Sequence, residues 1–372
     1  MLDFTSALYL GFEHPSWSLP VWSQLSLGKP AALEQLAGVP EIERQLADLV
    51  GCERALLGPS TFHLFWDLFR WLTTVRTEIF VARGSYPIAR WGLDSARVAG
   101  VPARTFRHGH LPPVEEVTAR PVLVTDGFFP ATGHPAPLRE CVSWVQRCDG
   151  LLVIDDTQAL GIFGSNPGPH FPFGSGGGGS LRAAHLRGAH ILVVSSLAKA
   201  FGVPVAMIGG AHELIEEFER ASGTRVHCSP PSAAAVAGGM RALEMNRRIG
   251  DPLRSRLVRR LKCFRAGLAR LGLSAMSDMF PVQPLRLPDE VRAEAVHEQL
   301  LRRGVKAVLH RGGNGSGAAV ISFLVTARHR SHEIEAALGS LAEALKSARR
   351  PIHKGGFSHG AYADNAYRSS TR

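Results

Sequence analysis

Residues 151–164, LLVIDDTQALGIFG, and residues 191–210, ILVVSSLAKAFGVPVAMIGG, decide how this chain reads. Each begins with a short run of apolar, partly β-branched side chains, the pattern of a strand buried on both faces of a parallel sheet. The first run ends in two acids, Asp155 and Asp156, and the second passes through Ser196 to Lys199. Ligand sites in open α/β sheets lie at the carboxyl ends of strands, which is where these groups fall. Taken alone, an Asp pair is more often a helix cap or turn, and a lone lysine a surface residue. The order strand, acids, loop, strand, SxxK is far less generic.

Outward from this stretch, helical patterns alternate with short apolar runs from about residue 41, as in an open α/β sheet. Strands are expected at Ile79 to Ala82, Pro121 to Thr125, Leu151 to Ile154, Ile191 to Val194 and Val205 to Ile208. Helices are expected at Glu41 to Leu49, Thr61 to Thr73, Pro137 to Arg147, His212 to Ala221 and Ser232 to Asn246. Beyond Pro252, an amphipathic helix from Leu253 to Leu271 opens a smaller α+β lobe. Its strands are read near Val282 to Leu287, Ala307 to Leu309 and Ala319 to Leu324, and its helices at Val291 to Arg302 and His332 to Lys346. The division is therefore an N-terminal segment over 1–40 that packs on both lobes, a large domain over 41–248, a small domain over 249–348 and a disordered tail over 349–372. Gly174, Gly176 and Gly179 stand at GxGxxG spacing, but no strand leads into them, so they read as a flexible loop.

At 372 residues with 45% hydrophobic and 20% charged side chains, the chain has the composition of a globular protein of two lobes. No apolar run reaches the roughly 18 residues of a membrane helix, and the first residues lack the basic flank of a signal peptide, so a cytoplasmic protein is expected. Five cysteines form no CxxC pair, which argues against a disulfide framework or a metal site. The formal charge of +10 comes from scattered arginines without a block of like charge, so it draws small anionic substrates rather than nucleic acid.

Pyridoxal 5'-phosphate chemistry needs a lysine for a Schiff base, a carboxylate at the pyridine nitrogen, an aromatic ring over the cofactor face and donors for the phosphate. Lys199 and Asp155 supply the first two. An ionised Asp155 keeps the ring nitrogen protonated and makes the cofactor an electron sink.

The chain resembles the α-oxoamine synthases, pyridoxal phosphate enzymes of aminotransferase class I/II, fold type I, over nearly its whole length. The motifs are FTSALYLGFEHP, CERALLGPSTF, VTDGFFPATGHPAPLRE, LLVIDDTQALGIFG and SSLAKAFG, with the paired prolines of CSPPS. The resemblance implies a mostly parallel central sheet flanked by helices in the large domain, with a small α+β C-terminal domain. It also implies Lys199 as the Schiff-base lysine, Asp155 at the ring nitrogen, and Ser60, Thr61 and Ser196 near the phosphate. Thr61 and Phe62 would open a helix whose N-terminal amides attract the dianion. Some positions depart from the family. Tyr86 stands where a histidine stacks on the ring, and another aromatic can do the same. Gln158 replaces the histidine after the acids; it can hydrogen-bond the phenolic oxygen but cannot become charged. Pro130 removes a serine, and Ala7 and Leu8 replace the Asn and Asp before YLG. Ser322 replaces the arginine that grips the substrate carboxylate, with Arg328 and Arg311 as nearby substitutes.

The leading functional expectation is a transferase that acylates an amino-acid-derived carbanion from a thioester, with coenzyme A or a carrier protein as the acyl carrier. An aminotransferase on the same fold is the alternative, and a non-catalytic binding descendant a third. The resemblance further implies a homodimer meeting through the CSPPS and YLG segments.

Overall fold

Apolar runs separated by amphipathic helices give, among the described residues, one seven-stranded sheet. The structure is a computed structural model and describes residues 1–107, 109–130, 132–311 and 319–348; the expected tail from Arg349 and the side chain of Arg311 lie outside the described residues. Strands β1 (Arg54–Gly58), β2 (Thr77–Ala82), β3 (Ala103–Phe106), β4 (Arg120–Asp126), β5 (Leu151–Asp155), β6 (Ile191–Ser196) and β7 (Ala206–Gly210) stand in the order β1-β7-β6-β5-β4-β2-β3. Strands β2 to β6 are parallel, and β7 is antiparallel to both of its neighbours.

Strand periodicity assigns the helices to faces. Val122, Val124, Leu151 and Val153 pack with α2 (Thr61–Thr73), α3 (Pro87–Val98) and α5 (His212–Ala221). Leu123, Leu152 and Ile154 point the other way, against α4 (Leu138–Arg147) and its buried Trp144. Helix α1 (Val39–Val50) joins a third cluster shared with α6 (Ala233–Arg270).

The small lobe carries strands β8 (Ser274–Ala275), β9 (Val282–Arg286), β10 (Val308–Arg311) and β11 (Ala319–Leu324) in the antiparallel order β8-β9-β11-β10. Helices α7 (Ala293–Arg302) and α8 (Ser331–Ala348) pack beside it. The N-terminal segment touches both lobes. Leu2 and Asp3 pair with Val305 and Lys306, and Phe12 stacks on Phe201 at 6.1 Å. Beyond Asp3 the opening motif is an irregular strap, held where Leu324 and Ala327 donate their amides to the carbonyls of Phe4 and Tyr9.

Two expectations are corrected. The helices read on either side of Pro252 are one continuous helix, α6. An interior proline costs about 3 kcal/mol, and burial along both halves offsets it, Leu243, Leu257 and Leu261 among them. The glycine-rich stretch is not a flexible loop but a fastened one. Buried Arg254 donates to the Gly161 carbonyl and to Asn246 Oδ1, each at 2.8 Å, and to Asp251 Oδ1 at 2.7 Å. Asp251 then accepts the Gly176 amide at 2.9 Å, and Asn246 donates to the Gly176 carbonyl at 2.8 Å. Gly177 needs its glycine: it has φ +70°, and a Cβ there would lie 2.4 Å from Arg254 Nη1.

Candidate active site

The sheet delivers the sequence-predicted residues to one edge. Asp126 and Asp155 are register partners across β4 and β5, while Gly58 and Ser196 both pair with Ala206. The carboxyl ends of β1, β4, β5 and β6 therefore share one end of the sheet, and Ser60, Asp155, Ser196 and Lys199 follow from it. The loop after β5 is tied to the loop after β6, because Thr157 Oγ1 accepts the Ser196 amide at 3.0 Å. Asp155 in turn accepts the Thr157 amide at 3.0 Å.

Lys199 sits in the tight turn between β6 and β7, where its carbonyl accepts the Gly202 amide and Leu197 donates to Val205. Gly202 has φ +67°, and a Cβ there would lie 2.9 Å from the Phe12 carbonyl, so the strap closes directly over this turn. The Lys199 ammonium lies 5.9 Å from the Tyr86 ring centroid. Tyr86 is the residue before α3, and its amide donates to Asp126 Oδ1 at 3.2 Å.

Burial governs the electrostatics. It lowers the pKa of Lys199, against the opposing pull of Asp155 and then Asp126. It raises Asp155, opposed by donation from Thr157 and by Lys199. Asp126 is pushed well above the usual carboxylate range by burial and then by the charge of Asp155. Asp156, turned away to accept the Ser180 amide at 2.9 Å, is pushed up by burial to about 7.

Ser60 caps α2, whose first residues are Thr61 and the exposed Phe62. Its hydroxyl also hydrogen-bonds His63 Nδ1 at 2.9 Å. Gln158 lies three residues beyond Asp155 and accepts the Tyr9 hydroxyl at 2.8 Å. Asp126, Tyr9 and His63 are absent from the sequence-predicted set. Asp126 carried a readable signal, an acid ending a buried apolar run just as Asp155 does.

The small-lobe positions lie in β11 and beyond it. Ser322, 1% exposed on β11, faces opposite to Ile321 and Phe323 and hydrogen-bonds His310 Nε2 at 2.8 Å. Arg328 pairs with Glu13 and lays its aliphatic stem against Gly11.

The aminotransferase class I and II family matches residues 25–341. The 8-amino-7-oxononanoate synthase of Nitrosococcus oceani is 30% identical over 314 residues, covering 82% of this chain and 79% of that protein. That of Klebsiella pneumoniae is 26% identical over 357 residues, covering 91% and 88%. Among solved structures, a Sphingomonas wittichii serine palmitoyltransferase superposes with a TM-score of 0.76 at 18% identity, covering 93% of this chain and 87% of that one. The 8-amino-7-oxononanoate synthase of Francisella tularensis does so with 0.72 at 17% identity, covering 93% and 98%. The structural likenesses carry the fold and the sequence matches the kinship: this chain belongs to aminotransferase class I and II and, within it, to the pyridoxal phosphate-dependent α-oxoamine synthases.

Proposed function

We propose that this chain joins an acyl thioester to an amino acid or amine through carbon–carbon bond formation, with pyridoxal phosphate held at Lys199 and Asp155. The observation that carries the reading is the gathering of a half-buried lysine, a buried carboxylate and a helix N-terminus at one end of the sheet. The donor set fits this cofactor: Asp155 for the ring nitrogen, Tyr86 for the ring face, Gln158 for the phenolic oxygen, and Ser60, Thr61, Phe62 and Ser196 for the phosphate. Bound there, pyridoxal phosphate supplies an electron sink for charge developing at the substrate α carbon.

The remaining work falls to the protein. Because burial favours its neutral amine, Lys199 can act as a nucleophile and can move a proton at the α carbon. Asp155 holds a proton on the pyridine nitrogen, and its Thr157 partner keeps it aimed. Tyr86 covers one face, and the Asp126 carboxyl fixes the backbone that carries it. The amides of α2 offer donors and a favourable dipole to the phosphate dianion. The acyl carrier, coenzyme A or a carrier protein, meets a chain of formal charge +10.

A second copy of the chain is part of this reading. Trp17, Val21 and Leu33 are exposed along the N-terminal segment, where Val21 lines a cleft of about 1040 Å³ against α6, and a twofold partner would cover them.

The test is Lys199→Ala. Wild-type protein purified with the cofactor is expected to absorb in the visible and to keep the cofactor on Lys199 after borohydride reduction. The variant is expected to lose that adduct, and an adduct persisting on another lysine would refute the assignment.

A further inference from the structure

Gln158 occupies a position where the proposed chemistry needs a hydrogen-bond donor, and an amide has two faces: an oxygen that only accepts and a nitrogen that only donates. Which face meets the cofactor depends on what holds the other. Tyr9, distant in sequence, provides the hold: its hydroxyl donates to Gln158 Oε1 at 2.8 Å. The phenol is 1% exposed, and burial raises its pKa above the ordinary value, so it stays a donor at every working pH. Turning the amide over would make the Tyr9 oxygen an acceptor and leave its own buried proton without the Gln158 oxygen to donate to. Among the described residues, the Gln158 nitrogen has no protein partner of its own.

Tyr9 is itself packed on several sides. Its ring meets Phe280 edge-on at 5.8 Å, Phe280 stacks on Phe128 at 4.0 Å, and its carbonyl accepts the Ala327 amide at 2.8 Å. It is thus clamped between the end of the small sheet and the strand hairpin after β4.

Resting on the functional reading above, we propose that Tyr9 is a positioning residue that locks the Gln158 amide so that its nitrogen donates to the phenolic oxygen of the cofactor. This gives the site a donor that cannot ionise, set by a residue that never touches the cofactor.

The visible absorbance of the holoenzyme, titrated with pH, tests this. A donor at the phenolic oxygen withdraws electron density and lowers the pH at which the spectrum changes. Asp126, Asp155 and Lys199 face the same cofactor but are common to all variants, so differences report the amide. Gln158→Leu is expected to raise the midpoint by about one pH unit, one hydrogen bond's worth. Gln158→Glu, which keeps an acceptor for Tyr9 but offers no donor, is expected to raise it at least as far. Tyr9→Phe keeps the ring on Phe280 and should melt close to wild type by circular dichroism. It is expected to raise the midpoint by at least half the Gln158→Leu shift, and the double variant Tyr9→Phe/Gln158→Leu to shift no further than Gln158→Leu alone. An unmoved midpoint in Tyr9→Phe, or additive shifts in the double variant, overturns the role of Tyr9 while leaving the functional reading intact. Wild-type protein that takes up no pyridoxal phosphate overturns both.

Discussion

Asp126 and Asp155 are direct register partners on neighbouring parallel strands, each 6% exposed, so two carboxyl groups end one row of the sheet beside a single lysine. They are not equivalent. Burial raises both; the charge of Asp155 adds to the rise at Asp126, whereas donation from Thr157 and the nearby Lys199 oppose the rise at Asp155, which favours the pair's proton on Asp126 and its charge on Asp155. Asp126→Asn replaces the carboxyl by an uncharged group of the same shape that still accepts the Tyr86 amide, and turnover is expected to fall by less than about threefold. Asp155→Asn removes a charge-assisted contact of about 1.5–3 kcal/mol, and kcat/KM is expected to fall roughly tenfold to a hundredfold. Steady-state kinetics of the two variants decides, and equal losses would show that the charge is not held as described.

What the sequence displayed of this site follows from the range of the interactions. Asp155 and Lys199 were legible because each punctuates a continuous apolar run, and α2 was legible to the residue because Ser60 caps its start. The orientation of Gln158 was not, since its oxygen is held by a tyrosine of the N-terminal segment 149 residues away in sequence. The glycine-rich stretch misled for the same reason: its local composition speaks for freedom, whereas Asp251 and Asn246, themselves held by Arg254, fasten it from α6. Pro252 marks a helix break by local rules, yet burial on both sides carries the helix through.

Glu43 predicts a pH dependence of stability. Its carboxylate accepts the Leu57 amide at 2.8 Å, but burial outweighs that bond and pushes the group up to about 7 from an ordinary 4.5. Between these values the folded chain holds a proton that the unfolded chain has released, so stability is full below about 4.5 and falls as pH rises to about 7. Glu43→Gln keeps the acceptor and removes the titration. It is expected to be more stable than wild type at pH 8 by about 1–3 kcal/mol, with the gap closing towards pH 4.5. Urea midpoints across this range test it, and parallel profiles would refute it.

The proposed twofold assembly predicts sedimentation at about twice the 40.1 kDa of the chain. Val21 is fully exposed on the N-terminal segment. Val21→Glu would bury a charge at the interface and is expected to weaken association by at least about tenfold, or 1.4 kcal/mol. A stable wild-type monomer with bound cofactor would remove the second chain from the reading.

Under the proposed function, substrate choice is expected to turn on Ser322. Its hydroxyl is engaged by His310, and Arg328 is engaged by Glu13, so neither presents a guanidinium fork to a substrate carboxylate. Losing such a fork costs about 1.5–3 kcal/mol, a tenfold to hundredfold weakening. Glycine, alanine and serine are therefore expected to bind wild type weakly, in the millimolar range, when followed by the change in cofactor absorbance. Because Ser322 is buried, Ser322→Arg alone lacks room, and pairing it with His310→Ala vacates the neighbouring space. The double variant is expected to tighten these amino acids by roughly tenfold or more. Micromolar binding by wild type that the double variant weakens would show that another group already holds the carboxylate. Arg328 released from Glu13 would then be the first to substitute, because the Glu13 ion pair holds its guanidinium at the strap.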